Sequence, residues 1–325
     1  MSVPWPTRLL DRDNSWVVLV GTSQHDSPPS NLPDIPQAST SVEDLAAALC
    51  GPHGLFTKEH VITVRDPSSV EEVLSALDSI AGQKPDVVLF YYVGHGMYTS
   101  LDRDSRKELF LALSGSIDDQ AEAVRTGLPV GSVFSRLRYL RAKQSVVVLD
   151  CCFAGRALDD PGVGDVHVLC ATGRTSLALY ELDERHTGFT GSLLRLFRNG
   201  IPDGPQYLDL HTVFHHLSVT LPTTPSAASP ESNGCLPRPR QRTTDQRGSL
   251  ALVRNPAFGT GRTLEGLGVR AEFARRVAAL GEDPLIDPGD QRMLLAHAAE
   301  LFAAISVDTA ALHGLPEVSR PVPAE

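Results

Sequence analysis

The chain has 325 residues, of which 42% are apolar and 21% charged, enough ordinary globular material to bury a substantial core in one or two domains. Its net charge of −10, from 29 basic and 39 acidic residues, argues against a nucleic-acid partner or an anionic membrane surface, since both select a basic face. No apolar run reaches the roughly 18 residues of a membrane span, and Met1 to Asp13 lacks the apolar centre of a signal peptide, so the expected location is cytoplasmic.

In chain order, Trp16 to Val20 is a short apolar run and the expected first strand, followed by a polar loop from Gly21 to Asn31. Thr40-Ser41-Val42-Glu43 has the form of a capping box, with Val42, Leu45, Ala46 and Leu49 following at helical spacing until Gly51. Val61 to Val64 is a second strand. Ser68-Ser69-Val70-Glu71 is a second capping box, and Val70, Val73, Leu74, Leu77 and Ile80 give its helix one apolar face. Asp86 to Val93 (D-V-V-L-F-Y-Y-V) is a third strand that runs into Gly94-His95-Gly96. Strand, helix, strand, helix, strand is the pattern of a parallel sheet with helices on its faces.

After Met97 the stretch to Lys107 reads as a loop, and Leu109 to Leu113 as a short strand. Val133, Leu137 and Leu140 mark a basic helix. It leads into Ser145 to Gly155 (S-V-V-V-L-D-C-C-F-A-G), a buried strand that stops on Asp150, Cys151 and Cys152. Alternation sends Asp150 and Cys152 to one face and Cys151 to the other. Val166 to Ala171 is a further strand, Phe189 to Phe197 a helix, and Asp209 caps another to about Leu221. Residues 222–248, rich in Pro, Ser, Thr and Arg, read as a mobile loop inside the domain, because a strand, Ser249 to Val253, follows. The expected domain is therefore 1–256. Residues 262–280 and 289–305 are Ala- and Leu-rich with helical spacing, so 257–315 reads as a small helical appendage and 316–325 as a disordered tail.

In open α/β sheets, ligand sites lie outside the carboxyl ends of the strands. If the strands ending at His95 and Cys152 are neighbours, an imidazole and a thiol meet there as general base and nucleophile. Five sparse cysteines argue against a disulfide framework.

These stretches resemble the caspase-like cysteine peptidases. The separation of 57 residues between His95 and Cys152 is close to the caspase spacing of about 50, and Asp150, Cys152 and Gly155 match the metacaspase motif D-x-C-x-[SAG]-G. Gly21-Thr22-Ser23, Tyr91 to Gly96, Leu149 to Ala157 and Leu250 to Asn255 are similar to motifs of bacterial caspase-like domains from actinobacterial conflict and signalling systems. The resemblance covers roughly residues 12 to 255.

It implies an α/β/α sandwich with a mostly parallel central sheet, and a cysteine endopeptidase working through a thioester acyl-enzyme. It implies His95 as base, Cys152 as nucleophile and the N–H groups of Gly96 and Cys152 as oxyanion hole. It places Asp150, Asp26 and Ser23 in an S1 pocket for Arg or Lys, and no Arg between Gly21 and Pro36 offers the alternative of holding an Asp. It also implies a bacterial defence or regulated-death setting.

No cofactor is expected. His211 and His215 have a metal-ligand spacing without a third ligand, and Asp159, Asp160 and Asp165 have a composition that could hold Ca²⁺ but read as a solvated loop. The expected partners are a protein or peptide substrate and an activating protein that engages the C-terminal helices, with any self-cleavage falling in 222–248. Two other functions compete: a catalytically silent caspase-like scaffold, and a thiol switch using Cys151 and Cys152.

Overall fold

A computed structural model describes residues 7–26, 28–99, 108–178, 184–202, 204–226, 234–243 and 248–259. Two compact units divide the chain, 1–200 with 206–256 and 201–205 with 257–325, and the first carries everything that follows. The expected helical appendage and tail, residues 257–325, fall almost wholly outside the described residues.

The elements run β1 (Ser15–Gly21), α1 (Pro36–Cys50), β2 (Val61–Arg65), α2 (Val70–Asp78), β3 (Val87–Val93), β4 (Gly96–Thr99), β5 (Glu108–Leu111), α3 (Ala123–Thr126), β6 (Leu128–Pro129), α4 (Val130–Leu140), β7 (Gln144–Asp150), β8 (His167–Cys170), α5 (Gly188–Asn199), β9 (Tyr207–Asp209), α6 (Leu210–Thr220), β10 (Arg240–Arg242) and β11 (Ala251–Arg254). The main sheet has the order β10-β8-β7-β3-β1-β2. Its first five strands in sequence pair in parallel, and β10 closes the edge antiparallel to β8. The strands β4, β5 and β6 form a small antiparallel sheet, and β9 pairs with β11.

Period-two alternation sorts the central strands between two faces. Val18, Val20, Val88, Phe90, Tyr92, Val147, Leu149 and Cys151 pack with Val73 and Leu77 of α2 and with Val133, Phe134 and Leu137 of α4. The opposite face meets α5, where the Tyr91 hydroxyl lies 2.7 Å from that of Thr190, and α5 packs against α1. Fully burying each such Val, Leu or Phe is worth about 1.5–3 kcal/mol, so the layering follows from these two stripes. This is the α/β/α sandwich.

Local details differ from the sequence reading. Helix α1 starts at Pro36, ahead of the expected capping box, because Pro at the first turn supplies helical φ without needing an N–H partner. Ser41 therefore lies inside the helix, its hydroxyl accepting from the Thr187 N–H. The second box is offset by one residue: Ser69 is the N-cap, accepting from the Glu72 N–H, and Glu72 reaches back to Ser68. Part of the stretch read as a loop after Met97 is β4, paired with β5. Within 222–248 the chain forms β10, and Pro225 bridges Cys235.

Candidate active site

The β3–β7 ladder pairs Val93 with Asp150, and the Gly94 N–H donates to the Asp150 carbonyl at 3.2 Å. The segments Gly94–Gly96 and Cys151–Cys152 thus leave adjacent strands side by side. A Cβ on Gly96 would sit 2.0 Å from the Cys152 carbonyl oxygen and 3.1 Å from the Cys151 Sγ. Only glycine allows that approach.

His95 is held from several directions. Its Nε2 lies 2.8 Å from the Pro33 carbonyl. A carbonyl can only accept, so Nε2 carries the proton and Nδ1 keeps the lone pair. The His95 carbonyl accepts from the Ala112 N–H at 3.0 Å and lies 2.9 Å from the Tyr92 hydroxyl. The His25 ring stands 5.1 Å from the His95 ring, tilted by 59°. Burial lowers the pKa of His95 below 6.5, against an opposing effect from Pro33, so the ring is a neutral base near pH 7.

Cys152 is half-buried, and its Sγ accepts the Ala178 N–H at 3.3 Å. Burial raises its pKa above 9.0, with the Ala178 and Gly96 N–H groups acting against the rise. The thiol is therefore protonated at neutral pH and needs a base to become a nucleophile. Cys151 points to the opposite face, fully buried in the core, and all five cysteines are free. The expected alternation of Asp150, Cys151 and Cys152 holds.

Asp150 is 2% exposed. Its Oδ2 accepts from the Thr187 hydroxyl at 2.5 Å, the Thr190 hydroxyl at 2.6 Å and the Thr190 N–H at 3.2 Å. Burial raises its pKa, with those three bonds opposing. No described donor reaches Oδ1. The carboxylate lines a small pocket shared with Ala178, Phe189, Leu236 and Pro237. Thr187 is held in place by its neighbours, since Arg185 makes a bidentate pair with Asp44 of α1 at 2.9 and 3.0 Å and His186 joins the same carboxylate at 2.7 Å. The Arg185 bonds, with a smaller contribution from His186, hold Asp44 down to about 2.

The other two expected S1 residues do not line that pocket. The Ser23 hydroxyl donates to Asp66 at 2.9 Å, and its N–H to the same carboxylate at 2.6 Å. Asp26 is exposed on the loop that carries Pro33. Asp159 accepts from Arg174 at 2.6 Å, Asp160 accepts from the Gly162 N–H at 2.7 Å, and no cluster of three metal-ligating side chains occurs among the described residues.

Residues 15–236 match the family model of the caspase domain. The chain belongs to the caspase-domain family. It is also similar in fold to a solved caspase-1 from Spodoptera frugiperda, with a TM-score of 0.51 and 13% identity over 78% of this chain and 94% of that one. No curated protein matches the sequence. The family is one of caspase-like cysteine peptidases, whose members act on protein substrates. No described helix of this caspase-domain chain is long and apolar enough to cross a membrane.

Of the residues expected at this site, the structure brings His95, Gly96, Asp150 and Cys152 together at the β3 and β7 ends. Pro33, Ala178, Thr187 and Thr190, which contact them, were not expected from the sequence. The first two act through backbone atoms, which leave no mark in side-chain identity.

Proposed function

We propose that the protein is a cysteine endopeptidase that cleaves after Arg or Lys. The observation that carries this reading is the junction of the β3 and β7 ends, where Gly96 lies against Cys152 in a space that admits only glycine. His95 Nδ1 takes the proton from the Cys152 thiol as sulfur attacks the scissile carbonyl carbon. The N–H groups of Gly96 and Cys152 are the donors available to the oxyanion that forms. His95 then gives its proton to the departing amine, leaving a thioester, and later draws a proton from water as the thioester hydrolyses.

Asp150 supports the choice of P1. Its Oδ1 is free of described donors inside a pocket beside Cys152, and a guanidinium or ammonium entering there gains a charge-assisted bond to a desolvated carboxylate. Asp26 and Ser23 lie outside that pocket and enter this proposal only as secondary contacts, Asp26 from an exposed position and Ser23 through the Asp66 carboxylate it holds. Control by a protein that engages residues 257–315 and self-cleavage within 222–248 are further parts of it, resting on sequence alone, as does a role in bacterial defence or regulated death.

The test is a fluorogenic panel differing only at P1, run on the wild type and on Cys152→Ala. Cleavage of Arg and Lys substrates, lost in the variant, supports the reading. Best cleavage after Asp removes the P1 assignment. No turnover of any peptide, with Cys152 unreactive, favours a silent scaffold.

A further inference from the structure

The pocket holding Asp150 continues into an open groove. Leu236 and Pro237 form a wall common to both. Gly173 and Ser176 also line the groove, and the Ser176 carbonyl accepts the N–H of Phe153, next to Cys152 in the chain, at 2.9 Å. Arg238 and Arg240 also line it. Both are exposed, and neither is ion-paired with a described residue. Arg174, which follows Gly173 in the chain, differs, its guanidinium being bound to Asp159. In a chain of net charge −10, two arginines along this groove with no ion-pair partner among the described residues are a local reversal of the overall field.

Sheet order tells which half of a peptide would lie there. Cys152 follows β7, and its neighbours in the sheet are β3 on one side and β8 then β10 on the other. His95 follows β3. The groove is built from residues just after β8 and just before and within β10. His95 must protonate the leaving amine, so the part of a substrate beyond the cut lies on the β3 side. The part before the cut, which stays on sulfur as the acyl group, lies on the β8–β10 side, along the groove.

We propose that Arg238 and Arg240 form an upstream subsite for acidic side chains, so that the substrate class is a peptide with Asp or Glu a few residues before a basic P1. This deepens the proposed function, and its orientation rests on that reading of His95 and Cys152. The pairs formed are partly solvated, so each is modest in strength, and together they favour an acidic over a basic upstream residue by about fivefold or more.

The experiment is a positional scan of peptides with Arg fixed at P1, varying P2 to P4 and P1′ to P3′ in turn. A single-residue Arg amide is assayed alongside, because it tests P1 without the groove. The expected result is preference for Asp or Glu at one or more of P2 to P4 and none at P1′ to P3′. In the double variant Arg238→Glu, Arg240→Glu the ratio of rates for acidic and basic upstream residues should invert. A ratio measured on one enzyme sample is independent of the fraction folded. An unchanged ratio in the variant, or an acidic preference confined to P1′ to P3′, overturns the subsite. Cleavage of the single-residue amide with no upstream preference overturns the subsite and leaves the P1 reading standing. A preferred P1 other than Arg or Lys, with an upstream preference that inverts in the variant, does the reverse.

Discussion

Val93 stands opposite Asp150 across the β3–β7 ladder, and this one register pair places the segments that carry His95 and Cys152 in contact. Two residues beyond Val93 comes His95, and two beyond Asp150 comes Cys152. A shift of either strand by one residue would turn every side chain to the other face, burying Cys152 in the α2–α4 core and bringing Cys151 to the site.

Substitution at the dyad should therefore be asymmetric between the two vicinal thiols. Cys152→Ala and His95→Ala are each expected to lower kcat/KM by at least about a thousandfold. Cys151→Ala removes a buried sulfur from the opposite face and should cost about 1 kcal/mol of stability while keeping most activity. Steady-state kinetics with a thermal melt on each variant separates these outcomes. Activity that survives in Cys152→Ala and is lost in Cys151→Ala would reverse the assignment.

Gly96→Ala tests the close approach. The added Cβ meets the Cys152 carbonyl oxygen at 2.0 Å, and backbone cannot yield as a flexible side chain does. The expected outcome is loss of activity by about a hundredfold or more, through displacement of one oxyanion donor. Gly82→Ala provides no comparable contact and should leave kcat/KM unaltered, its cost being confined to the positive φ of that residue.

Asp150→Asn should separate catalysis from stability. Burial raises the Asp150 pKa, so the stability it contributes is present below the unfolded value of 3.8 and is lost as pH rises through the folded one. At pH 7 the neutral amide is then no less stable than the carboxylate. The variant should keep or raise Tm, yet lose kcat/KM toward Arg substrates by about 30-fold or more. Asp26→Asn, at an exposed position outside the pocket, should have the smaller effect. Equal losses in the two variants would shift the P1 contact toward the loop after β1.

The pH profile follows from two shifts of opposite sign. His95 must be neutral to accept a proton, and burial puts its pKa below 6.5, so the acid limb should fall under that value. The Cys152 thiol titrates above 9.0, so alkylation in the His95→Ala variant should accelerate only beyond that pH. A wild-type acid limb above 6.5, or a Cys152 thiolate already present at pH 7 without His95, would contradict the neutral-pair account.

Much of this was readable because the signals were dense. Four apolar residues in a row at Val146 to Leu149, ending on an acid and two thiols, identify a buried strand and where its polar end lies. The two glycines around His95 mark a close approach. The antiparallel edge strand β10 was not readable, because Arg240, Gln241 and Arg242 are polar and an edge strand needs no apolar alternation when only one side is paired. Helix α1 was misplaced at its start because Thr40 and Ser41 imitate a cap, whereas Pro36 sets the first turn. The hold of Pro33 on His95 and of Ala178 on Cys152 had no signal at all, being made by a carbonyl and an N–H that every neighbouring residue also possesses.

The most direct measurement of the central claim is covalent labelling with an Arg chloromethyl ketone, followed by peptide mass mapping, on the wild type and on His95→Ala. The account predicts one label, on Cys152, formed rapidly in the wild type and at least about a hundredfold more slowly in the variant. Labelling on Cys151, or on Cys152 at the same rate with and without the His95 imidazole, would contradict it.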